Sequence, residues 1–177
     1  MKEFLTLSLG VILLFFYSCK FEIKENRTLS NADAQKQIAS MLDSFHAAAA
    51  RADYNRYFSF FSQDASFIGT DATEHWTKDR FAVWAKPYFD RGKAWSFTSI
   101  ERHIYVDSAM QWAWFDELLR TQMKICRGSG VVVWDGQNWK IRQYVLSMTI
   151  PNSKTNQVTQ LKTDEEDSLM NRISLTK

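Results

Sequence analysis

The chain has 177 residues and a formal net charge of +2, with 22 Lys and Arg against 20 Asp and Glu. Its hydrophobic content of 45%, with 15% aromatic residues, is enough for one domain with a substantial core plus terminal extensions. A nucleic-acid groove would require clustered Lys and Arg, and no such block occurs, so we expect no nucleic-acid partner.

The N-terminal residues have the features of an export signal. A basic residue, Lys2, precedes an apolar run over residues 4–17, which is shorter than the roughly 20 residues of a membrane-spanning helix. The run ends at Ser18 and Cys19, and a small residue before Cys at this place resembles a bacterial lipoprotein signal. We therefore expect a signal peptide over residues 1–19, lipidation at Cys19 and a membrane-anchored location in the bacterial cell envelope. The alternatives are an ordinary secreted protein cleaved nearby and an uncleaved anchor.

The next part of the chain is predicted to be helical after a short tether at residues 20–29. Ser30, Asp53 and Thr77 are good N-cap residues, and each is predicted to begin a helix. After Ser30, apolar residues follow helical spacing at Ile38, Met41, Leu42, Phe45 and Ala49. A short strand is predicted at residues 65–69, between the second and third helices.

From Trp95 onward the hydrophobic pattern has a period of two, which predicts antiparallel strands. The strands are expected at residues 95–106, 112–123, 125–134 and 138–150, with a tight turn at 135–138. Cys126 lies in an apolar strand context and is predicted to be buried and unreactive. Residues 152–177 form a polar tail that is either disordered or carries a short amphipathic helix near 164–174.

Six segments, most of which contain aromatic residues, together form a pattern that is typical of one protein family. They are Phe58 to Ile68, Gly69-Thr70-Asp71, residues 78–88, Trp114-Phe115-Asp116-Glu117, residues 127–131 and Trp139 to Ser147. Together they resemble the SnoaL-like branch of the nuclear transport factor 2 superfamily, over about residues 31–150. The resemblance implies an α+β, cone-shaped fold over residues 30–151, with three N-terminal helices packed on a curved antiparallel sheet. It also implies a pocket open at one end and homodimers formed through the sheet.

The superfamily includes polyketide cyclases, ketosteroid isomerases, dehydratases and non-catalytic binding domains, so its fold alone does not define a function. By the resemblance, the isomerase's general-base Asp would fall near Gly69 and its acidic oxyanion donor near Gly130, and neither acid is present. SnoaL-like relatives often carry a His two residues before a Ser, and here Val145 precedes Ser147. Neither mechanism therefore transfers intact.

Two groups of acidic residues are candidates for proton transfer. Asp71 and His75, with Glu74 between them, lie on the loop that would border the pocket mouth, and a carboxylate with a His is common acid–base equipment. Asp116 and Glu117 are neighbours on a strand and point to opposite faces, so at most one can reach the cavity. Alternatively, Asp71 shapes the turn and the strand carboxylates form structural salt bridges. The candidate partners for such bridges are Arg120, Arg127 and Arg142.

The aromatic residues are candidates for ligand binding, although most of them are expected in the core. The residues expected to line the cone are Tyr54, Tyr57, Trp76, Trp84, Trp114 and Arg127. The three histidines have no metal-ligand spacing, so we expect neither a metal site nor a cofactor.

Three functions compete on this evidence. The first is a binding module of the envelope whose hydrophobic cone holds a small apolar or aromatic molecule without turnover. The second is a proton-transfer enzyme of the isomerase, cyclase or dehydratase type, with Tyr57 or Arg127 stabilising an oxyanion. The third is a homodimerisation or interaction domain, with Trp112 and Trp114 exposed on the sheet. We favour the first because the family's acids are missing and aromatic residues are abundant.

Overall fold

The computed structural model describes residues 30–175. The predicted signal peptide, the lipidation site Cys19 and the tether at residues 20–29 lie outside the described residues. Within residues 30–175, no helix combines the length and the apolar character that crossing a membrane requires.

Helices begin at the three predicted caps. The helices of the described range are α1 (Asn31–Ala50), α2 (Tyr54–Ser59), α3 (Lys78–Asp90) and α4 (Thr155–Ser174). The side chains of Ser30, Asp53 and Thr77 each accept a hydrogen bond from the backbone N–H three residues later. Each cap thereby satisfies a donor that the first helical turn leaves without an intrahelical partner.

The strands of the described range form one open sheet. They are β1 (Phe61–Ile68), β2 (His75–Thr77), β3 (Thr98–Val106), β4 (Trp112–Thr121), β5 (Lys124–Trp134) and β6 (Trp139–Met148). Their order across the sheet is β2-β1-β6-β5-β4-β3. Strands β3 to β6 form an antiparallel meander, and β1 pairs in parallel with β6.

The predicted α+β class, with helices packed on a curved sheet, is confirmed. The sheet is mainly antiparallel, as predicted, and the exception among the described strands is the parallel pair of β1 and β6. The long connection between these two strands lets the chain return in the same direction, as parallel pairing requires. The arrangement of three helices before the sheet is not confirmed in that form, because β1 and β2 precede α3.

The core lies between α1 and the inner face of the sheet, and aromatic rings occupy much of it. The ring centroid of Phe45 lies 4.5 Å from that of Tyr57 and 5.4 Å from that of Tyr144. Phe67 and Phe81 stack with their centroids 3.9 Å apart. Cys126 is a free, fully buried thiol in this core, as predicted. The interior of the cone is therefore largely filled, and only part of it is open to a ligand.

The outer face of the sheet carries exposed aromatic side chains. Trp112 and Trp114 are 50% and 51% exposed, and Tyr105 stacks on Trp114 with ring centroids 5.7 Å apart. After the sheet, α4 begins at Thr155 and is therefore longer than the helix predicted near residues 164–174. No residue of α4 is buried.

Candidate functional site

An aromatic cavity of about 180 Å³ opens between the β1–β2 loop, α3 and the β4–β5 turn. Twelve residues line it: Phe67, Gly69, Thr70, Glu74, Trp76, Phe81, Trp84, Trp95, Phe97, Gln122, Met123 and Leu146. Most of these side chains are aromatic or aliphatic, and a few polar groups stand at one side. This is the usual character of a small-molecule site, and the space is enough for a small ring compound.

The tryptophans around the cavity are held by ring stacking. Trp76 and Trp84 stack with centroids 4.9 Å apart, and Trp84 lies 6.5 Å from Trp95. Behind them Phe81 stacks against Trp95 at 5.9 Å. Trp84 is 40% exposed, so part of its ring is available to a ligand. Because neighbouring rings restrict each tryptophan, the wall is preorganised and binding need not order it first.

A buried polar cluster lies deeper in the fold than the cavity. We call it the Glu117 network, and it consists of Glu117, His46, Arg102 and Tyr144. Glu117 on β4 is fully buried, and its Oε1 accepts hydrogen bonds from His46 Nε2 at 2.8 Å and from the Tyr144 hydroxyl at 3.2 Å. Its Oε2 accepts from Arg102 Nε at 2.9 Å, and the Nη2 atom of Arg102 lies 2.8 Å away. Arg102 also pairs with Asp43 at 2.8 Å on the solvent side. α1, β3, β4 and β6 are thus joined by one buried carboxylate.

The charges of the network favour the ionised carboxylate. Burial alone would raise the pKa of Glu117, but the hydrogen bond and charge of His46 and the charge of Arg102 lower this pKa below its ordinary value. Burial lowers the pKa of Arg102, but the carboxylates of Glu117 and Asp43 raise it by more, so this pKa is above its ordinary value. Burial, reinforced by the charge of Glu117, raises the pKa of Tyr144 well above its ordinary value. The network is therefore a compensated ion cluster, and Glu117 lacks the raised pKa of a general base working near neutrality.

Aromatic side chains separate the Glu117 network from the cavity. None of Glu117, His46 and Tyr144 lines the cavity. Phe97 lines it, and its ring centroid is 6.0 Å from that of His46. Phe67 also lines it and stacks 5.7 Å from Tyr144. A ligand in the cavity therefore meets a wall of phenylalanine rings in front of the buried carboxylate.

The family assignment follows from comparison with known proteins. The SnoaL-like domain family matches residues 38–151, more than half of the chain, and includes both the cavity and the Glu117 network. The chain belongs to the SnoaL-like domain family. No curated protein matches it.

Solved structures similar to this SnoaL-like domain have low sequence identity. An NTF2-like protein of unknown function from Pseudomonas putida aligns with a TM-score of 0.59 at 11% identity, over 70% of this chain and 92% of its own. A domain with a cystatin-like fold from Nostoc punctiforme aligns with a TM-score of 0.60 at 16% identity, over 84% and 98%. A candidate NTF2-like dehydratase from Streptomyces avermitilis aligns with a TM-score of 0.60 at 11% identity, over 69% and 100%. At these identities the likeness establishes the fold alone.

Two of the predicted ligand-binding residues of this SnoaL-like domain, Trp76 and Trp84, line the cavity. Tyr57 is fully buried among core rings, and Tyr54 donates its hydroxyl proton to the Ala82 carbonyl. Trp114 lies on the outer face of the sheet. Arg127, the remaining predicted ligand-binding residue, lies on the same outer face, beside Asp116.

The structure does not bring the four predicted catalytic residues together. Asp71 is exposed and accepts hydrogen bonds from the backbone N–H and the hydroxyl of Thr73, which lower its pKa. His75 is exposed at the start of β2. Asp116 faces the outer side of the sheet, where Arg127 donates to it at 3.2 Å, so Arg127 is not a cavity residue either. Glu117 faces inward, but it is enclosed in the network described above.

Sequence reasoning missed several residues that matter to these two features. The unpredicted residues include Glu74 and Trp95 at the cavity, with His46 and Arg102 in the network. Glu74 lies in the predicted loop between Asp71 and His75, but the sequence does not single it out as a ligand-binding residue. The contact of Arg102 with Glu117 depends on the register of β3 against β4, which local pattern does not reveal.

A larger groove of about 820 Å³ lies at the other end of β6, between α1, α2 and the β5–β6 turn. Lys36, Arg56 and Lys140 line it, and no carboxylate does so among the described residues. None of the predicted site residues reaches this groove. Across residues 30–175, no cluster of His, Cys, Asp and Glu has the arrangement of a metal site.

Proposed function

We propose that this SnoaL-like domain binds a small apolar or aromatic molecule in the aromatic cavity, without chemical turnover. The observation that carries the proposal is the wall of Trp76, Trp84 and Trp95 around a cavity of about 180 Å³. Aromatic rings contribute large contact areas and favour other rings as partners. A ligand that buries its own apolar surface there gains the corresponding hydrophobic free energy.

The same geometry makes proton-transfer catalysis the weaker proposal. A general base must reach the proton that it removes, and among the four predicted catalytic residues none lines the cavity. Glu117 and His46 form a close acid–base pair at 2.8 Å, but Phe97 stands between His46 and the cavity. An isomerase, cyclase or dehydratase reaction would require this ring to move before Glu117 met a substrate.

Titration with indole and p-cresol tests the binding proposal, with dissociation constants measured by calorimetry. Trp84→Ala should weaken indole binding by about tenfold, equivalent to about 1.4 kcal/mol, because it removes part of the cavity wall. Trp112→Ala is the matched control, because Trp112 is also about half exposed but lies on the outer face. The absence of saturable binding by any small aromatic compound, or an equal loss in both variants, would contradict the proposal.

The predicted envelope location is part of the proposed function and has its own test. The export signal and Cys19 support a lipid anchor, which would hold the domain at a membrane surface. Cells expressing the full chain with a labelled fatty acid should incorporate the label into the protein. Cys19→Ser should abolish incorporation, and label retained in that variant would exclude lipidation at Cys19.

Self-association through the outer sheet face is a second proposed function. It is supported by the exposed rings of Trp112, Trp114 and Tyr105, together with the oppositely charged Asp116 and Arg127. A face with apolar rings and both charges can be self-complementary, as a twofold dimer requires.

Light scattering coupled to gel filtration tests this second proposal. Wild type should elute as a dimer and Trp114→Arg as a monomer. Val83→Arg, which changes a 77% exposed residue on α3, should remain a dimer. A monomeric wild-type domain at high micromolar concentration would refute self-association.

A further inference from the structure

The charge distribution of the aromatic cavity restricts its ligand further. Glu74 is the one side chain with an ionisable group among the twelve that line the cavity. No Lys, Arg or His is among these lining residues. Three tryptophans and three phenylalanines accompany the carboxylate, and aromatic faces attract cations through their ring quadrupoles. Both the carboxylate and the rings therefore favour positive charge over negative charge.

The position of the Glu74 carboxylate is defined by the fold. Gly69 donates its backbone N–H to the Glu74 carbonyl at 2.9 Å, and Glu74 donates its own to the Asp71 carbonyl at 3.0 Å. The Asp71 backbone N–H also donates to Glu74 Oε2 at 3.3 Å. A Cβ atom at position 69 would collide with this carboxylate. The absence of a side chain at Gly69 thus makes the space that the carboxylate occupies, and the turn holds it at the cavity.

The orientation of the rings restricts the shape of the ligand. Trp76 and Trp84 are inclined by 29°, Trp84 and Trp95 by 33°, and Phe81 and Trp95 by 27°. The planes of these rings therefore have similar orientations around the cavity. A flat molecule can lie along such faces in an offset stack, whereas a tetrahedral ammonium group is better matched by rings set at right angles.

We propose that the ligand is a flat aromatic cation, such as an N-alkylated or protonated nitrogen heterocycle, whose ring stacks on the tryptophans and whose charge faces Glu74. This inference rests on the proposed binding function and specifies its ligand class. The carboxylate acts as a counter-ion at the cavity edge, and the tryptophan faces stabilise the same charge through cation–π contacts.

A pair of isosteric probes separates this inference from the broader one. N-methylpyridinium and toluene have the same shape and differ in charge, and both are small enough to test by chemical-shift titration of the tryptophan indole N–H signals. The cation should bind at least roughly tenfold more tightly than toluene at low ionic strength. In Glu74→Gln the preference for the cation should fall to about threefold or less, whereas the affinity for toluene should be unchanged.

Two further variants test whether the effect belongs to the Glu74 carboxylate. Asp79→Asn removes a neighbouring exposed acid on α3 that does not line the cavity, and it should keep the wild-type preference. Gly69→Ala should reduce the preference in a protein that still melts cooperatively, because the added Cβ displaces the carboxylate.

Each outcome of the probe experiment has a definite meaning. Equal affinities for the two probes, or a cation preference that persists in Glu74→Gln, would overturn the ligand class and leave the binding function standing. Binding of neither probe, together with no binding of indole or p-cresol, would overturn the binding function itself.

Discussion

The Glu117 network makes a quantitative prediction about stability. Replacing Glu117 by Gln preserves the shape of the side chain but removes the negative charge that faces Arg102 and His46. Arg102 is only 10% exposed in its side chain, and it would retain the solvent-side carboxylate of Asp43 as its partner. The substitution therefore leaves a buried guanidinium that is only partly compensated, without creating a cavity.

The expected cost follows from the burial and the number of donors. Glu117 is fully buried and accepts from His46, Arg102 and Tyr144. Removing one partner of a buried ion pair typically costs about 3–5 kcal/mol. Because the Gln amide oxygen can keep one or two of the hydrogen bonds, we expect a loss of about 3 kcal/mol in the free energy of unfolding.

The adjacent residue supplies a matched control. Asp116→Asn makes the same chemical change one position earlier on β4, but on the outer face, where Asp116 pairs with the half-exposed Arg127 at 3.2 Å. An exposed pair of this kind contributes about 1 kcal/mol or less. Urea unfolding followed by tryptophan fluorescence and by circular dichroism gives both free energies. Equal losses in the two variants, or a loss below about 1 kcal/mol for Glu117→Gln, would refute the reasoning.

Three further predictions concern the same core. The folded-state pKa of Glu117 is below its ordinary value of 4.5. The ionised carboxylate therefore stabilises the fold above pH 4.5, and this stabilisation is lost as the pH falls through the folded-state pKa. The urea midpoints of wild type and Glu117→Gln should accordingly converge in acid. Gly128→Ala should cost about 1–3 kcal/mol in urea unfolding, because a Cβ there would collide with the Tyr144 hydroxyl, whereas Ser129→Ala on the outer face should cost little. Cys126 is fully buried, so a thiol reagent should modify it no faster than the protein unfolds. Cys126→Ala is the control that lacks this thiol, and rapid modification of the folded wild-type protein would contradict the prediction.

Local sequence signals predicted the elements that depend on local chemistry. The caps at Ser30, Asp53 and Thr77 were correct because a side-chain oxygen at that place satisfies an N–H within the same turn. The strand predicted at residues 112–123 is observed at Trp112–Thr121, because alternation with period two reflects one buried and one exposed face. α4 was predicted too short because no residue of it is buried, so hydrophobic periodicity could not indicate its beginning.

Non-local pairing decided the features that the sequence did not reveal. Arg102 lies opposite Glu117 because of the register of β3 against β4, and a shift by one residue would have turned its side chain to the other face. The partners considered for the two strand carboxylates were Arg120, Arg127 and Arg142, and Arg127 does pair with Asp116. Arg102, which pairs with Glu117, was not among them. His46 joins the network only because α1 packs across the sheet. Such contacts join residues far apart in the chain, and no local pattern encodes them.

The remaining question is whether Glu74 takes over the role of the missing family acid or serves as a counter-ion. By the resemblance, the isomerase's general base would fall near Gly69, and the Glu74 carboxylate occupies the space beside that glycine. A base that removes a proton from carbon also needs a donor that stabilises the resulting oxyanion. Thr70 and Gln122 are the lining side chains that can donate a hydrogen bond besides the tryptophan indoles, and no Tyr or His is among the lining residues. Where no Tyr or His faces the carboxylate to donate a hydrogen bond to an oxyanion, the carboxylate stabilises a bound cation better than an anionic intermediate. With glycine at position 69 and Glu74 as the lining carboxylate, the cavity is better suited to a bound cation than to proton transfer, in line with the proposed ligand class.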